Sequence, residues 1–390
     1  MTEKFLYRFH IPGLPHVPTS KNVSACAYSQ KIVKLCKMLT DRGHTVYFYG
    51  VEGSDPICTE NVTVVSKDFY LKYYDYDWHK NYFRFDTSDL VHQTFYVNSI
   101  KEIRKRMQPR DFLLCAWGLG HQPIASGVPE CMAVESGIGY SSTFSKYRVF
   151  ESSTWMSWVY GNSKQDNGSW YDCVIPNFFD PSDFEFREEK EDYFLYLGRV
   201  IQRKGVDIAF QLTKEIGAKL IIAGQGSLVD ANEGIDLRGD HVEFVGYADV
   251  EKRKELLAGA KALIAPTYYI EPFGGVTIEA AMSGTPVLTS DWGVFGETVL
   301  HGITGYRCRT FEQFVWAAKN IHNISPINCK EWAVNNFSCE RVISMYEEYF
   351  YQLQNLYDKK GWYVPNPDRT ELDWLNKKYP SQFLHFSEYR

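Results

Sequence analysis

Residues 193–224 read YFLYLGRVIQRKGVDIAFQLTKEIGAKLIIAG, and this stretch decides the fold. Two short apolar runs rich in β-forming residues, YFLYL and KLIIA, flank the amphipathic segment VDIAFQLTKEIG, and each run ends at a glycine. Apolar runs that alternate with amphipathic segments are typical of a parallel sheet covered by helices. The stretch therefore predicts a strand, a glycine turn, a helix and a second, parallel strand.

The same alternation continues on both sides of this stretch. Downstream, VEFVG, KALIAP, PVLTS and TGYRC complete six predicted strands, enough for a doubly wound sheet. Upstream, FLYRFHI, a helix over 23–41 and a strand from Thr45 predict one βαβ unit, and the sheet resumes at DFLLCAWG and CMAV. Residues 66–100 mix aromatic and charged side chains without a clear period and are predicted to be irregular.

The length of 390 residues favours two domains. Pro176 and Pro181 bracket NFFD, and the polar run SDFEFREEKED follows, a composition typical of a hinge. We therefore expect a first Rossmann-like α/β domain over 1–178 and a second over 179–338. The helical segment of about 339–390 is expected to pack back on the first domain.

Composition excludes several classes of protein. A formal charge of -6 argues against nucleic acid as a partner, although IKEIRKRMQPR around Arg104 brings five cations together. No apolar run reaches the ~20 residues needed to cross a bilayer, and the start of the chain lacks a signal-peptide layout, which predicts a cytoplasmic protein. The nine cysteines include no CxxC pair and suit reduced thiols better than a zinc site or disulfides.

The turns after the predicted strands carry the candidate ligand contacts, because open α/β sheets bind ligands beyond the carboxyl ends of their strands. The first such turn holds Gly198, Arg199, Arg203 and Lys204 directly before a helix. A glycine turn, paired cations and a helix N-terminus together suit a diphosphate. Taken singly, each cation could equally be a solvated loop residue.

Residues 271–287, EPFGGVTIEAAMSGTPV, place Glu271 in a loop and Glu279 in a predicted helix over 276–283. The glycines free backbone N–H groups, and these groups and the helix dipole favour negative charge at the helix start. Two carboxylates facing one cleft can accept hydrogen bonds from the hydroxyls of a ribose and a pyranose. Singly, Glu279 could be a helix-dipole residue and Glu271 an exposed loop acid.

Six motifs occur in order from about Val174 to the C-terminus: IPNFFDP, GRVIQRKG, IAGQG, VEFVGYAD, EPFGGVTIEAAMSGTPV and GETVLHGITGYRC. This half of the chain resembles the donor half of retaining nucleotide-sugar glycosyltransferases, glycosyltransferase family 4, with its E-x7-E motif. The resemblance implies a GT-B fold, in which two Rossmann-like domains face each other across a cleft and the C-terminal helix crosses back to the first.

The resemblance also assigns roles to residues. It implies that Arg199 and Lys204 bind the donor diphosphate, that Glu271 contacts the donor sugar, and that Glu279 binds the ribose hydroxyls. The nucleobase is expected near Gly246 and Tyr247. The implied donor-binding residues are Gly198, Gly224, Gly246, Tyr247, Pro272, Phe273, Gly274, Gly275, Val276 and Glu279.

The first half departs from the family pattern. Its early loop, PGLPHVPTSKN, has only Gly13 where the family carries a glycine pair. Two residues compete for the place of a family histidine, His121 in WGLGHQP and Glu135 in CMAVESGIGY, and either could be structural instead. Among the many aromatic residues of this half, Trp78 and Tyr140 are candidates for stacking on the acceptor.

The function implied is a retaining transfer of sugar from a UDP- or GDP-sugar to a hydroxyl on a glycan, a lipid-linked acceptor, a small molecule or a nucleobase. No cofactor or metal is expected, because the D-x-D triplet Asp75-Tyr76-Asp77 lies in the irregular region. A nucleotide-sugar epimerase of the same fold and an inactive nucleotide-sugar or glycan binding protein stay open. A nicotinamide dehydrogenase is excluded, since no strand precedes a GxGxxG motif.

Overall fold

Two parallel β-sheets organise the chain. The computed structural model describes residues 5–23, 25–79, 81–169 and 171–357. One sheet has seven strands and the other six, and helices pack against both. The seven-stranded sheet belongs to a first lobe, which also includes the last helix described. The six-stranded sheet belongs to a second lobe.

The first lobe contains a seven-stranded parallel sheet. Its strands are β1 (Arg8–Pro12), β2 (Thr45–Val51), β3 (Glu60–Val65), β4 (Phe112–Cys115), β5 (Met132–Ile138), β6 (Tyr147–Phe150) and β7 (Asp172–Val174). Their order is β3-β2-β1-β4-β5-β6-β7. The helices are α1 (Ala27–Asp41), α2 (Lys67–Tyr74), α3 (Leu90–Arg106), α4 (Gln122–Gly127) and α5 (Ser153–Asn162).

The second lobe contains a six-stranded parallel sheet and a short antiparallel ribbon. Its strands are β8 (Phe194–Leu197), β9 (Leu220–Ala223), β10 (Val229–Asp230), β11 (Ile235–Asp236), β12 (Val242–Gly246), β13 (Ala262–Ala265), β14 (Val287–Ser290) and β15 (Gly305–Cys308). The sheet order is β12-β9-β8-β13-β14-β15, and β10 pairs with β11. The helices are α6 (Val206–Glu215), α7 (Val250–Gly259), α8 (Gly275–Met282), α9 (Phe295–Thr298), α10 (Phe311–Lys319) and α11 (Pro326–Phe337).

Helix α12 (Cys339–Tyr357) follows the second lobe in sequence but packs on the first. Its apolar face joins the core formed by β1, β2 and β4, where the ring of Phe350 lies 4.8 Å from that of Phe9. The Tyr349 hydroxyl donates to the carbonyl of Tyr171 at 2.8 Å. The predicted doubly wound sheets and the returning helix are thereby confirmed; residues 358–390 of the predicted tail lie outside the described residues.

The chain crosses between the lobes twice, at neighbouring positions. The Phe179 N–H donates to the Phe337 carbonyl at 2.9 Å, and the Cys339 N–H donates to the Phe179 carbonyl at 2.8 Å. Phe179 and Ser338 form an isolated parallel bridge. Two paired segments therefore join the lobes at this point.

The irregular region predicted at 66–100 is wrong in part. Helix α2 and the first part of α3 lie within it, so that among its described residues only 66, 75–79 and 81–89 lack a regular helix or strand. The buried side of α3 carries Phe95 and Ile103 together with the polar His92 and Ser99. These polar residues interrupt the helical period of apolar residues in the sequence. The helix forms nevertheless, because its tertiary packing outweighs the weak local pattern.

Glu297 joins the second lobe to the start of α5 in the first. Its carboxylate accepts hydrogen bonds from the backbone N–H groups of Ser153 and Thr154 at 2.9 and 2.8 Å, and from the Thr154 hydroxyl at 2.6 Å. A carboxylate at a helix N-terminus satisfies donors that have no partner within the helix and complements the helix dipole. Glu297 therefore caps a helix of the opposite lobe.

We expect Glu297→Ala to lower the free energy of unfolding by about 1–2 kcal/mol, the usual cost of removing a helix cap. Urea denaturation would measure the change. Glu331→Ala, at an exposed position of α11, is the matched control and should have little effect. Equal midpoints for the two variants would show that the cap does not hold the lobes.

Candidate active site

Three glycine turns at the carboxyl ends of β12, β9 and β8 lie against each other. The Gly198 N–H donates to the Ala223 carbonyl at 3.0 Å, and the Gly224 N–H donates to the Gly246 carbonyl at 2.7 Å. A Cβ added at Gly224, where φ is +151°, would lie 1.8 Å from the Gly198 oxygen. Only glycine fits there, so the backbones form a closely packed floor beyond the strand ends.

Lys204 reaches from the β8 turn to the loop after β13, the neighbouring strand. Its Nζ forms an ion pair with the Glu271 carboxylate, while Arg199 in the same turn is exposed. Gly205 follows at φ +74°, and a Cβ there would lie 2.2 Å from the Pro266 oxygen. The close approach of the two turns brings Lys204 and Glu271 together although they are 67 residues apart.

The Glu271 carboxylate is buried, with 8% of the residue exposed. Besides Lys204, it accepts hydrogen bonds from the Tyr269 hydroxyl at 2.8 Å and the Thr267 hydroxyl at 3.4 Å. Burial, and then the charge of Glu271, raise the pKa of Tyr269 well above its usual value. Tyr269 thus stays protonated and donates to Glu271, which is fixed in place at the cleft.

Glu279 projects from the second turn of α8, which begins after Gly274 at φ +68°. Its carboxylate pairs with Arg253 of α7, and both side chains are partly exposed, at 23% and 28%. The preceding loop faces the first lobe, because the Pro272 carbonyl accepts a 2.7 Å hydrogen bond from the Ser152 hydroxyl. Phe273 is buried between the lobe crossings, and Gly275 and Val276 are half-buried at the helix start.

The two first-lobe candidates lie in buried polar networks. The Ala116 N–H donates to Nδ1 of His121 at 3.3 Å, so that the proton sits on Nε2, which donates to the Gly13 carbonyl at 3.0 Å. Burial lowers the pKa of His121 to about 4, and the ring is therefore neutral at pH 7. Nε2 therefore holds the loop after β1, while Nδ1 holds the backbone directly after β4.

Glu135 in the middle of β5 is fully buried. It accepts hydrogen bonds from the backbone N–H groups of Phe144 and Ser145 at 2.9 and 2.8 Å and from the Tyr140 hydroxyl at 3.1 Å. Burial raises the pKa of this carboxyl. These contacts fix the loop between β5 and β6, and they engage the Tyr140 hydroxyl as well.

Sequence reasoning missed several side chains at the site. Arg253 pairs with Glu279, Tyr269 binds Glu271, and Gln225 of the β9 turn contacts the first lobe. Arg253 and Tyr269 lie within turns or helices that follow candidate strands, a position that could have singled them out. Across the part of the chain that the structure describes, no group of three or more His, Cys, Asp or Glu residues could hold a metal ion.

None of the helices described by the structure is long and apolar enough to pass through a membrane.

The second lobe matches a known sequence family. Residues 179–328 match the model for glycosyl transferases group 1. Glycogen synthase of Mycobacterium tuberculosis is 40% identical over 124 residues, which is 29% of this chain and 29% of that protein. The match therefore spans less than a third of this curated relative.

The complete two-lobed arrangement matches solved structures. AviGT4, a glycosyltransferase involved in avilamycin A biosynthesis, superposes with a TM-score of 0.66 at 19% identity over 90% of this chain and 98% of its own. The fold is GT-B. Anabaena HepE, solved with UDP-glucose, has a TM-score of 0.62 at 13% identity over 89% of this chain and 99% of its own. In this GT-B fold, the loops after β9, β12 and β13 lie on the side of the second lobe that contacts the first.

Proposed function

We propose that this chain is a glycosyltransferase that moves a sugar from a nucleoside-diphosphate donor to a hydroxyl acceptor with retention at the anomeric carbon. The observation that carries the proposal is the Lys204–Glu271 pair, which joins the turns of two neighbouring strands beside three packed glycine turns. This arrangement provides cations and backbone for a diphosphate and a fixed carboxylate for a sugar.

The cations at this site outnumber the buried acid. The Arg203 guanidinium lies 4.7 Å and the Lys204 ammonium 5.0 Å from the centre of the Tyr269 ring, and Arg199 belongs to the same turn. The turn after β8 therefore carries three cations, and one of them, Lys204, pairs with the buried carboxylate of Glu271. The excess of positive charge suits a diphosphate, whose charge increases as it leaves the sugar.

The two carboxylates suit hydroxyl groups. Glu271 is held by Lys204 and Tyr269 and can accept a hydrogen bond from the donor sugar, while Glu279, more exposed, can accept from a ribose. We infer a reaction in which the bond from the anomeric carbon to the phosphate oxygen breaks and the acceptor oxygen bonds to the same face. The acceptor's proton passes to a phosphate oxygen, and the nucleoside diphosphate leaves with it.

The relatives support the class of reaction and leave the donor base to be determined. The matched relative is a glycogen synthase, and HepE is a structural neighbour solved with UDP-glucose. We propose a UDP- or GDP-sugar as the donor, with no metal or other cofactor required. His121 and Glu135 are proposed to act by positioning first-lobe loops, since their polar atoms are already bonded within that lobe.

The test is incubation of the protein with UDP- and GDP-sugars, first alone and then with candidate acceptors. We expect nucleoside diphosphate to be released with an acceptor, and proton NMR of the product to show the anomeric configuration of the donor. An epimerised donor without acceptor would identify an epimerase instead. Tight donor binding without any turnover would identify a binding protein.

A further inference from the structure

Trp78 and His79 of the first lobe contact the second lobe at the turn after β12, where the resemblance in sequence implies the nucleobase. The ring of Tyr247 meets His79 at 5.0 Å and Trp78 at 5.9 Å between centroids, edge to face in both cases. Trp78 and His79 stack on each other with centroids 3.8 Å apart. A pair of stacked rings from one lobe thus lies against the half-buried Tyr247 of the other.

Polar contacts hold the same segment on the neighbouring glycine turns. The Gln225 side-chain amide donates to the Trp78 carbonyl at 2.7 Å and to the Asn81 carbonyl at 3.3 Å. The guanidinium of Arg199 lies 5.8 Å from the centre of the Tyr82 ring. Residues 78, 79, 81 and 82 therefore contact all three glycine turns, those after β8, β9 and β12.

Trp78 is also anchored within the first lobe. It packs on the buried cluster of Leu14, Val17, Val23 and Cys26, which belongs to the loop after β1. Because Trp78 touches both this cluster and Tyr247, its position is set by the first lobe while its ring faces the second. The sequence led us to expect Trp78 at an acceptor; in the structure its ring lies beside Tyr247.

We propose that Trp78, with His79 beside it, forms the first-lobe wall of the nucleobase subsite and stabilises the bound base. This inference rests on the proposed function, and it takes the turn at Gly246 and Tyr247, where the resemblance in sequence implies the nucleobase, as the base site. Aromatic faces stack on bases, whereas a diphosphate is bound by cations and N–H groups. Loss of the Trp78 ring should therefore weaken the binding of the nucleobase and leave the contacts to the diphosphate unchanged.

The experiment compares the binding of UDP, GDP, ADP and inorganic pyrophosphate to the full chain by calorimetry. Trp78→Ala is expected to weaken the binding of the preferred nucleotide about tenfold, within the range for losing one base stack. Pyrophosphate affinity should not change. Trp78→Phe keeps an aromatic face and should retain most of the wild-type affinity.

Arg84→Ala is the matched control, since Arg84 belongs to the same segment and packs on Tyr76, with its guanidinium 4.6 Å from the ring centre. It should bind every ligand as the wild type does. Unchanged or tighter nucleotide binding in Trp78→Ala, or an equal loss of pyrophosphate, would overturn the inference. If the wild type binds none of the nucleotides, the proposed function fails first, and the two failures are thereby distinguished.

Discussion

Lys204→Ala is expected to lower the kcat of sugar transfer by about 10²–10³-fold, the loss typical of one preorganised group that stabilises transition-state charge. Lys204 is held at the cleft by Glu271, so its ammonium is in place before the diphosphate leaves. Arg199→Ala should act in the same direction. Steady-state kinetics with saturating donor and acceptor would measure both, and wild-type turnover in the two variants would contradict the proposed roles.

Loss of Lys204 also leaves the buried Glu271 without its cation, and this effect must be separated from catalysis. The double variant Lys204→Ala with Glu271→Gln removes the unpaired charge and should be at least as slow as Lys204→Ala, because Glu271 is itself proposed to bind the donor sugar. Recovery to the wild-type rate would show that the charge of Glu271, and not the missing ammonium, caused the loss. Lys252→Ala, which removes a partly exposed lysine paired with Glu255 on α7, should be neutral.

Gly224→Ala is expected to destabilise the second lobe by about 4 kcal/mol, because a methyl group would overlap the Gly198 carbonyl and the backbone is in a region that only glycine readily adopts. The added Cβ would lie 1.8 Å from that oxygen. Urea denaturation followed by tryptophan fluorescence would measure the change. The β8 and β9 turns would have to separate to accommodate the methyl group, and donor binding should weaken as well.

Gly217→Ala separates the cost of the unfavourable backbone conformation from the cost of the contact with the Gly198 carbonyl. Gly217 has a positive φ of +64°, but an added Cβ there would meet nothing within 4 Å. Its cost should therefore be only the backbone strain, about 1 kcal/mol. Comparable losses in the two variants would contradict the argument that the contact with Gly198 makes Gly224 indispensable.

The second-lobe sheet could be predicted because its strands are buried on both faces. Such strands appear in the sequence as continuous apolar runs. Leu195, Leu220 and Leu263, on three of the central strands, are fully buried. In the first lobe, β6 and β7 are short and partly polar, and α3 buries His92 and Ser99. Such elements depend on tertiary packing, which no local pattern in the sequence records.

In the candidate site, too, local sequence patterns predict some contacts, and others depend on tertiary packing. Lys204 and Glu271 could be grouped from the sequence, because each follows a predicted strand of the same sheet. The contact of Trp78 with Tyr247 could not be predicted in this way, since it depends on how the two lobes face each other. The partners of His121 and Glu135 likewise depend on how the first-lobe loops fold over the strand ends.

The bridge between Phe179 and Ser338 means that the second lobe leaves and rejoins the rest of the chain at adjacent points. Because the two ends of the second lobe lie side by side, the whole lobe can be replaced by another of the same fold. The first lobe and helix α12 would keep their positions in such a replacement. A chimera that carries the corresponding segment of another GT-B protein between these two positions should keep the host's acceptor and take the donor of the graft.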